Sequence, residues 1–90
     1  METKGDGWRL FLELCRKAEG DQALNELFWL ILTPEERQAI QTRALIIREL
    51  VRGEKPQRQI AKELGVSIAK ITRGSNFLKE VKDDLRSLFS

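Results

Sequence analysis

The sequence predicts an all-α fold built of short helices around a helix-turn-helix, and three observations carry that reading. Apolar residues recur at helical spacing through most of the 90 residues. Start and stop signals cut the chain into six segments. The one apolar run that a strand might form has no second candidate strand to pair with.

Asp6 precedes the first segment, in which Trp8, Phe11, Leu12, Cys15 and Ala18 share a helical face, and Gly20 is expected to stop it. A second helix is expected from Asp21. Its end, Leu27-Phe28-Trp29-Leu30-Ile31-Leu32, is six apolar residues in succession. Periodicity alone cannot tell a buried helix here from a short buried strand. Read as a helix, the run is apolar on every side and needs cover on every side. A chain this short has too little material to supply that cover, so a homodimer is expected.

Thr33-Pro34-Glu35-Glu36 is a helix start: Thr33 caps, Pro34 has the backbone angle of a first helical residue, and Glu36 bonds back to the cap. The third helix is the longest, with Ile40, Ala44, Ile47 and Val51 on one face and Gly53 at its end. Pro56 opens a short fourth helix from Gln57 to Leu64, Gly65 ends it, and Ser67 caps a fifth. Asp83 and Asp84 favour the start of a last short helix carrying Leu85, Leu88 and Phe89. The expected organisation is one domain over 1–90: core helices at 6–53, a helix-turn-helix at 56–79 and a C-terminal helix at 82–90.

Composition narrows the function. With no histidine and no tyrosine, the side chain most used for proton transfer near neutral pH and for binding transition metals is missing, so neither an enzyme nor a metal site is expected. The single cysteine, Cys15, excludes an internal disulfide and reads as a small buried hydrophobe. No run is long enough to span a bilayer, and the polar, mixed-charge stretch from Met1 to Gly7 does not read as a signal peptide, so a cytoplasmic protein is expected.

Charge is unevenly placed. Residues 55 to 79 hold Lys55, Arg58, Lys62, Lys70, Arg73 and Lys79 against Glu63, a local +5 in a chain of net +2 that leaves −3 elsewhere. Such a patch suits a nucleic-acid face, and equally an ordinary solvated helix surface. Spacing within the segment favours the first reading. In a helix-turn-helix the helices cross closely, which asks for a small residue at the crossing, a glycine four residues on, and an apolar anchor six residues beyond that. Ala61, Gly65 and Ile71 meet this spacing, with Ile60, Leu64 and Val66 as apolar flanks.

The same register leaves Ser67, Ile68, Ala69, Lys70, Thr72, Arg73 and Asn76 free to meet base edges or phosphates. Gln57 and Arg58, at the start of the fourth helix, offer backbone donors and a cation to phosphate. The alternative is a plain helical hairpin that matches the spacing by accident.

Four stretches make the chain resemble the tryptophan repressor family: Leu32-Thr33-Pro34-Glu35-Glu36-Arg37, Thr42-Arg43, Gln57-Arg58 and Ile71-Thr72-Arg73-Gly74-Ser75-Asn76. The similarity runs without gaps from about Leu27 to about Lys79, and its Thr-Arg-Gly-Ser-Asn element is the most specific. The resemblance implies an intertwined homodimer of short helices that binds double-stranded operator DNA and represses tryptophan metabolism genes. L-tryptophan is the implied corepressor, wedged between core and reading head so that both fifth helices enter successive major grooves. The family is itself a reference case for water-mediated base contacts, so no simple side-chain code is implied.

Carried over by motif, Arg43 and Arg73 flank the indole, and Arg73 also pairs with the ligand carboxylate; a guanidinium suits both tasks. Thr33 adds a polar contact to the carboxylate, and the carbonyls of Leu30 and Leu32 receive the ammonium group. Gly74 lets the fifth helix approach the ligand. Without the resemblance, Arg43 reads as a surface ion-pair partner of Glu36 or Glu49, and Arg73 as a phosphate contact.

Phe77 stands where the family commonly has a serine beside the ammonium group, which removes an acceptor and narrows the pocket. Pro56 replaces a capping serine, and Lys70 adds a charge to the recognition helix. The competing functions are a constitutive helix-turn-helix DNA binder and a helical dimeric adaptor between proteins.

Overall fold

The computed structural model describes residues 5–90, so the expectation for the extreme N-terminus falls partly outside the described residues. Six helices follow in order: α1 Asp6–Lys17, α2 Gly20–Ile31, α3 Pro34–Arg52, α4 Gln57–Leu64, α5 Ile68–Leu78 and α6 Asp83–Ser87. The apolar run is helical through Ile31, and Leu32 leaves the helix in an extended conformation. Among the described residues no helix is long and apolar enough to cross a membrane.

Two compact units divide the chain between Arg37 and Gln38. In the first, α1 and α2 meet through aromatic rings. Phe11 lies 5.4 Å from Trp8 and 6.0 Å from Phe28, centroid to centroid, in tilted arrangements. Neither helix contains a fully buried residue, and Cys15 is half-buried and free. The break between these helices differs from expectation. Ala18, in an extended conformation, already ends α1, and Gly20 opens α2 instead of stopping α1.

The start of α3 is a reciprocal cap. The Glu36 N–H donates to Thr33 Oγ1 at 3.1 Å, and the Thr33 N–H donates to Glu36 Oε1 at 2.8 Å, so two otherwise orphaned donors are satisfied. Pro34 begins the 19-residue helix that follows.

In the second unit the core is small and well defined. Ile46 of α3, Ile60 and Ala61 of α4 and Ile71 of α5 are buried together, with Leu50, Leu64 and Val66 against them. Ile60 and Ile71 retain 1% and 0% of their exposure, which makes them the keystones of this unit. Gly65 closes α4 at φ +66°, ψ +37°, a conformation costly for any residue with a Cβ. From there its N–H donates to the Lys62 carbonyl at 3.3 Å and that of Val66 to Ala61 at 3.0 Å. The chain then reverses, Ser67 Oγ accepts from the Lys70 N–H at 3.4 Å, and α5 begins.

Candidate nucleic-acid interface

The turn at Gly65 sets α5 across α4 with Ile71 inward, and this decides which residues face solvent. Arg58, Ser67, Ile68, Ala69, Lys70, Thr72, Arg73 and Asn76 are all exposed, and Gln57 is half-buried. The register deduced from the Ala61, Gly65 and Ile71 spacing therefore holds: Ala61 and Ile71 are in the core, and the candidate contact residues are outside it.

The two helices are also joined at their outer rim. The Thr72 hydroxyl lies 3.3 Å from Gln57 Oε1 and 3.1 Å from the Ile68 carbonyl, both acceptors for its single proton. Pro56 gives α4 no side-chain cap, as expected of a proline at that position. Its carbonyl accepts from the N–H groups of Gln59 and Ile60, at 3.0 and 3.2 Å.

Electrostatics separate the basic residues into two kinds. Lys55 is engaged internally, with its ammonium 3.0 Å from Glu63 of α4 and 3.4 Å from Glu49 of α3. The Glu63 hydrogen bond, with Glu49 adding to it, holds the Lys55 ammonium above the ordinary lysine range. Because Lys55 and Glu63 offset each other, they drop out of the patch. Among the described residues, Arg58, Lys62, Lys70, Arg73 and Lys79 have no carboxylate within 4.0 Å. Five uncommitted cations on one helical pair suit a polyanion.

The candidate ligand residues divide between the units. Leu30, Leu32 and Thr33 lie in the first; Arg43, Arg73, Gly74 and Phe77 lie in the second. In the second unit, α5 packs on α3 at Gly74. A Cβ there would lie 3.2 Å from Ile46 Cγ2 and 3.4 Å from both Ile47 Cδ1 and Leu50 Cδ1. The missing side chain thus admits α3 to α5, at a point flanked by Arg73 on α5 and one turn beyond Arg43 on α3. Both arginines are exposed, and among the described residues neither pairs with Glu36 or Glu49. Glu49 is taken by Arg52 and Lys55. Phe77 is 61% exposed.

Sequence reasoning missed Arg37. Its guanidinium lies 3.9 Å from the Trp29 ring centroid, and its Nη1 donates to the Leu32 carbonyl at 2.8 Å and, more weakly, to that of Trp29 at 3.5 Å. The end of α2 therefore already holds a cation. The signal was the helix C-terminus itself, whose free carbonyls attract positive charge, but the residue that answers it lies on the next helix.

Among the described residues no group of three His, Cys, Asp or Glu is placed to hold a metal ion. The family described as Trp repressor protein matches residues 6–90. A Trp operon repressor homolog of Chlamydia trachomatis serovar D is 52% identical over 73 residues, covering 81% of this chain and 78% of the relative. Its counterpart in Chlamydia caviae is 46% identical over 81 residues, covering 90% and 80%. A third, in Photobacterium profundum, is 43% identical over 79 residues, covering 88% and 77%.

Proposed function

Because this chain belongs to the Trp repressor protein family, whose members are regulators and not enzymes, we propose that it is a homodimeric, cytoplasmic repressor that binds operator DNA when L-tryptophan is bound. The observation that carries this reading is the α4–α5 pair. Ile60, Ala61 and Ile71 are taken up in a core shared with Ile46 of α3, and an exposed row of mostly small, polar and cationic side chains is free for a duplex. An α-helix of this kind fits a major groove.

Dimerisation is supported by the end of α2, where Trp29, Leu30 and Ile31 are 67%, 83% and 42% exposed. Helices of 12 residues with no buried side chain gain little stability alone, and a second copy supplies the missing cover. In the dimer, Arg43 and Arg73 clasp the indole of L-tryptophan, Arg73 and Thr33 take its carboxylate, and the carbonyls of Leu30 and Leu32 take its ammonium group. Leu32 has a second lone pair beside the one Arg37 uses. Gly74 lets α5 lie close beside the ligand, and Phe77 narrows the mouth of the crevice. Gln57, Arg58, Ser67, Ile68, Ala69, Lys70, Thr72, Arg73 and Asn76 meet the DNA.

Fluorescence anisotropy on a labelled duplex, with and without L-tryptophan and across a salt series, tests this. Affinity is expected to rise with tryptophan and to fall steeply with salt. Equal, salt-sensitive binding in both conditions identifies a constitutive DNA binder instead.

A further inference from the structure

We infer that Thr72 serves DNA binding as a positioning residue: its hydroxyl holds the Gln57 side-chain amide at the start of α4, so that Gln57 makes the contact with phosphate and Thr72 reads no base. The inference rests on the DNA-binding reading above and gives one residue of the exposed row a different task from its neighbours.

The Thr72 hydroxyl has one proton, and both acceptors within its reach belong to the protein: Gln57 Oε1 at 3.3 Å and the Ile68 carbonyl at 3.1 Å. A hydroxyl whose proton is engaged in this way is a poor donor to a base edge. Its bond to Gln57 spans 15 positions of sequence and ties the rim of α5 to the first residue of α4.

With Oε1 turned to the Thr72 hydroxyl, Nε2 is the end of the Gln57 amide left over. The Nε2 group keeps two N–H donors, and among the described residues it has no acceptor. Gln57 as a whole is half-buried. Next to it, Arg58 is exposed and uncommitted, and the N–H groups of Gln57 and Arg58 have no earlier helical turn to bond to. A neutral amide held beside free backbone donors and a cation matches the way side chains and helix starts bind phosphate oxygens. Contacts of that kind set orientation and carry no base sequence.

The test is a double-mutant cycle in the full chain with L-tryptophan present. The probes are a mixed-sequence 30-base-pair duplex for affinity and a randomised pool for sequence preference. Thr72→Val and Gln57→Ala are each expected to weaken binding by about three- to tenfold, with the double variant no weaker than either single one. Thr72→Ser, which keeps the hydroxyl, restores binding, and the sequences selected from the pool by Thr72→Val match those of the parent. Melting of each variant, followed by circular dichroism, confirms equal folded fractions.

Additive losses, failure of Thr72→Ser to restore binding, or a changed sequence preference in Thr72→Val would each overturn the inference. A parent protein that binds no duplex at all overturns the DNA-binding reading itself. The two failures are thereby told apart.

Discussion

Arg37 caps the helix before its own: from the first turn of α3 it covers the Trp29 ring at 3.9 Å and donates to the Leu32 carbonyl at 2.8 Å. The contact ties the end of α2 to the first turn of α3, because the flat guanidinium satisfies a ring face and a helix-end carbonyl at once. Arg37→Met keeps much of the side-chain bulk and removes both interactions. It is expected to lower the unfolding free energy by about 1–2 kcal/mol in a urea titration. An unchanged midpoint would show the contact to be energetically idle.

Gly74 makes the opposite kind of prediction. A methyl group there meets the flexible ends of Ile47 and Leu50 at 3.4 Å but also the β-branch methyl of buried Ile46 at 3.2 Å, which must give way by a few tenths of an ångström, while alanine improves helix propensity by up to about 1 kcal/mol. The two effects nearly cancel, and Gly74→Ala is expected to change stability by less than about 1 kcal/mol. Gly74→Val adds bulk that Ile46, Ile47 and Leu50 cannot all avoid, and should cost about 2–3 kcal/mol. Thermal melts of both variants distinguish crowding from propensity.

Ile71 anchors α5 with no exposed surface. Ile71→Ala is expected to cost about 2–5 kcal/mol by opening a cavity among Ile46, Ile60 and Ala61. In so small a core that is a large share of the whole, and the variant should lose cooperative unfolding by circular dichroism first in the α4–α5 region, as read by amide exchange.

Arg73 and Lys70 both lie exposed on α5, yet they should separate by function. Arg73→Ala is expected to reduce L-tryptophan uptake in calorimetry by tenfold or more, on the order of one charged hydrogen bond, and to weaken DNA binding with it. Lys70→Ala should leave uptake intact and lessen the salt dependence of DNA binding by about one phosphate contact. Equal tryptophan affinity in the two variants would remove Arg73 from the crevice.

Lys55 predicts a pH dependence. Its ammonium is held above the ordinary value of 10.5 by Glu63 and Glu49, so the proton is bound more tightly folded than unfolded. Its stabilising effect is fully present below the unfolded value and is lost as pH rises through the higher folded one. The stability difference between the parent and Lys55→Met should therefore be constant from neutral pH to about pH 9 and shrink toward zero in strongly alkaline solution. A difference that grows with pH would have the wrong sign.

What was legible in the sequence is what neighbouring residues decide. The Thr33-Pro34-Glu35-Glu36 cap formed as written because its donors and acceptors lie within one turn. Ala61, Gly65 and Ile71 were found by spacing because close helix crossing leaves few residue choices. Gly20 was misread, since glycine suits either side of a helix break and Ala18 had already ended α1. Three contacts depend on how helices meet and leave no local pattern: Arg37 reaching back across the elbow, Lys55 spanning two carboxylates, and Thr72 meeting Gln57. For the candidate ligand residues, motif similarity alone supplies the expected roles, and the packing of Gly74 against α3 side chains is a separate observation.

The uncovered end of α2 bears on dosage. If a second copy is what shields Leu30 and Trp29, then at low abundance the number of competent readers grows with the square of the number of chains, by mass action. A cell making half as many chains would lose about three-quarters of its paired readers in that dilute regime. On the proposed reading, the exposed leucine would make the circuit respond to how much regulator is present as well as to its amino acid.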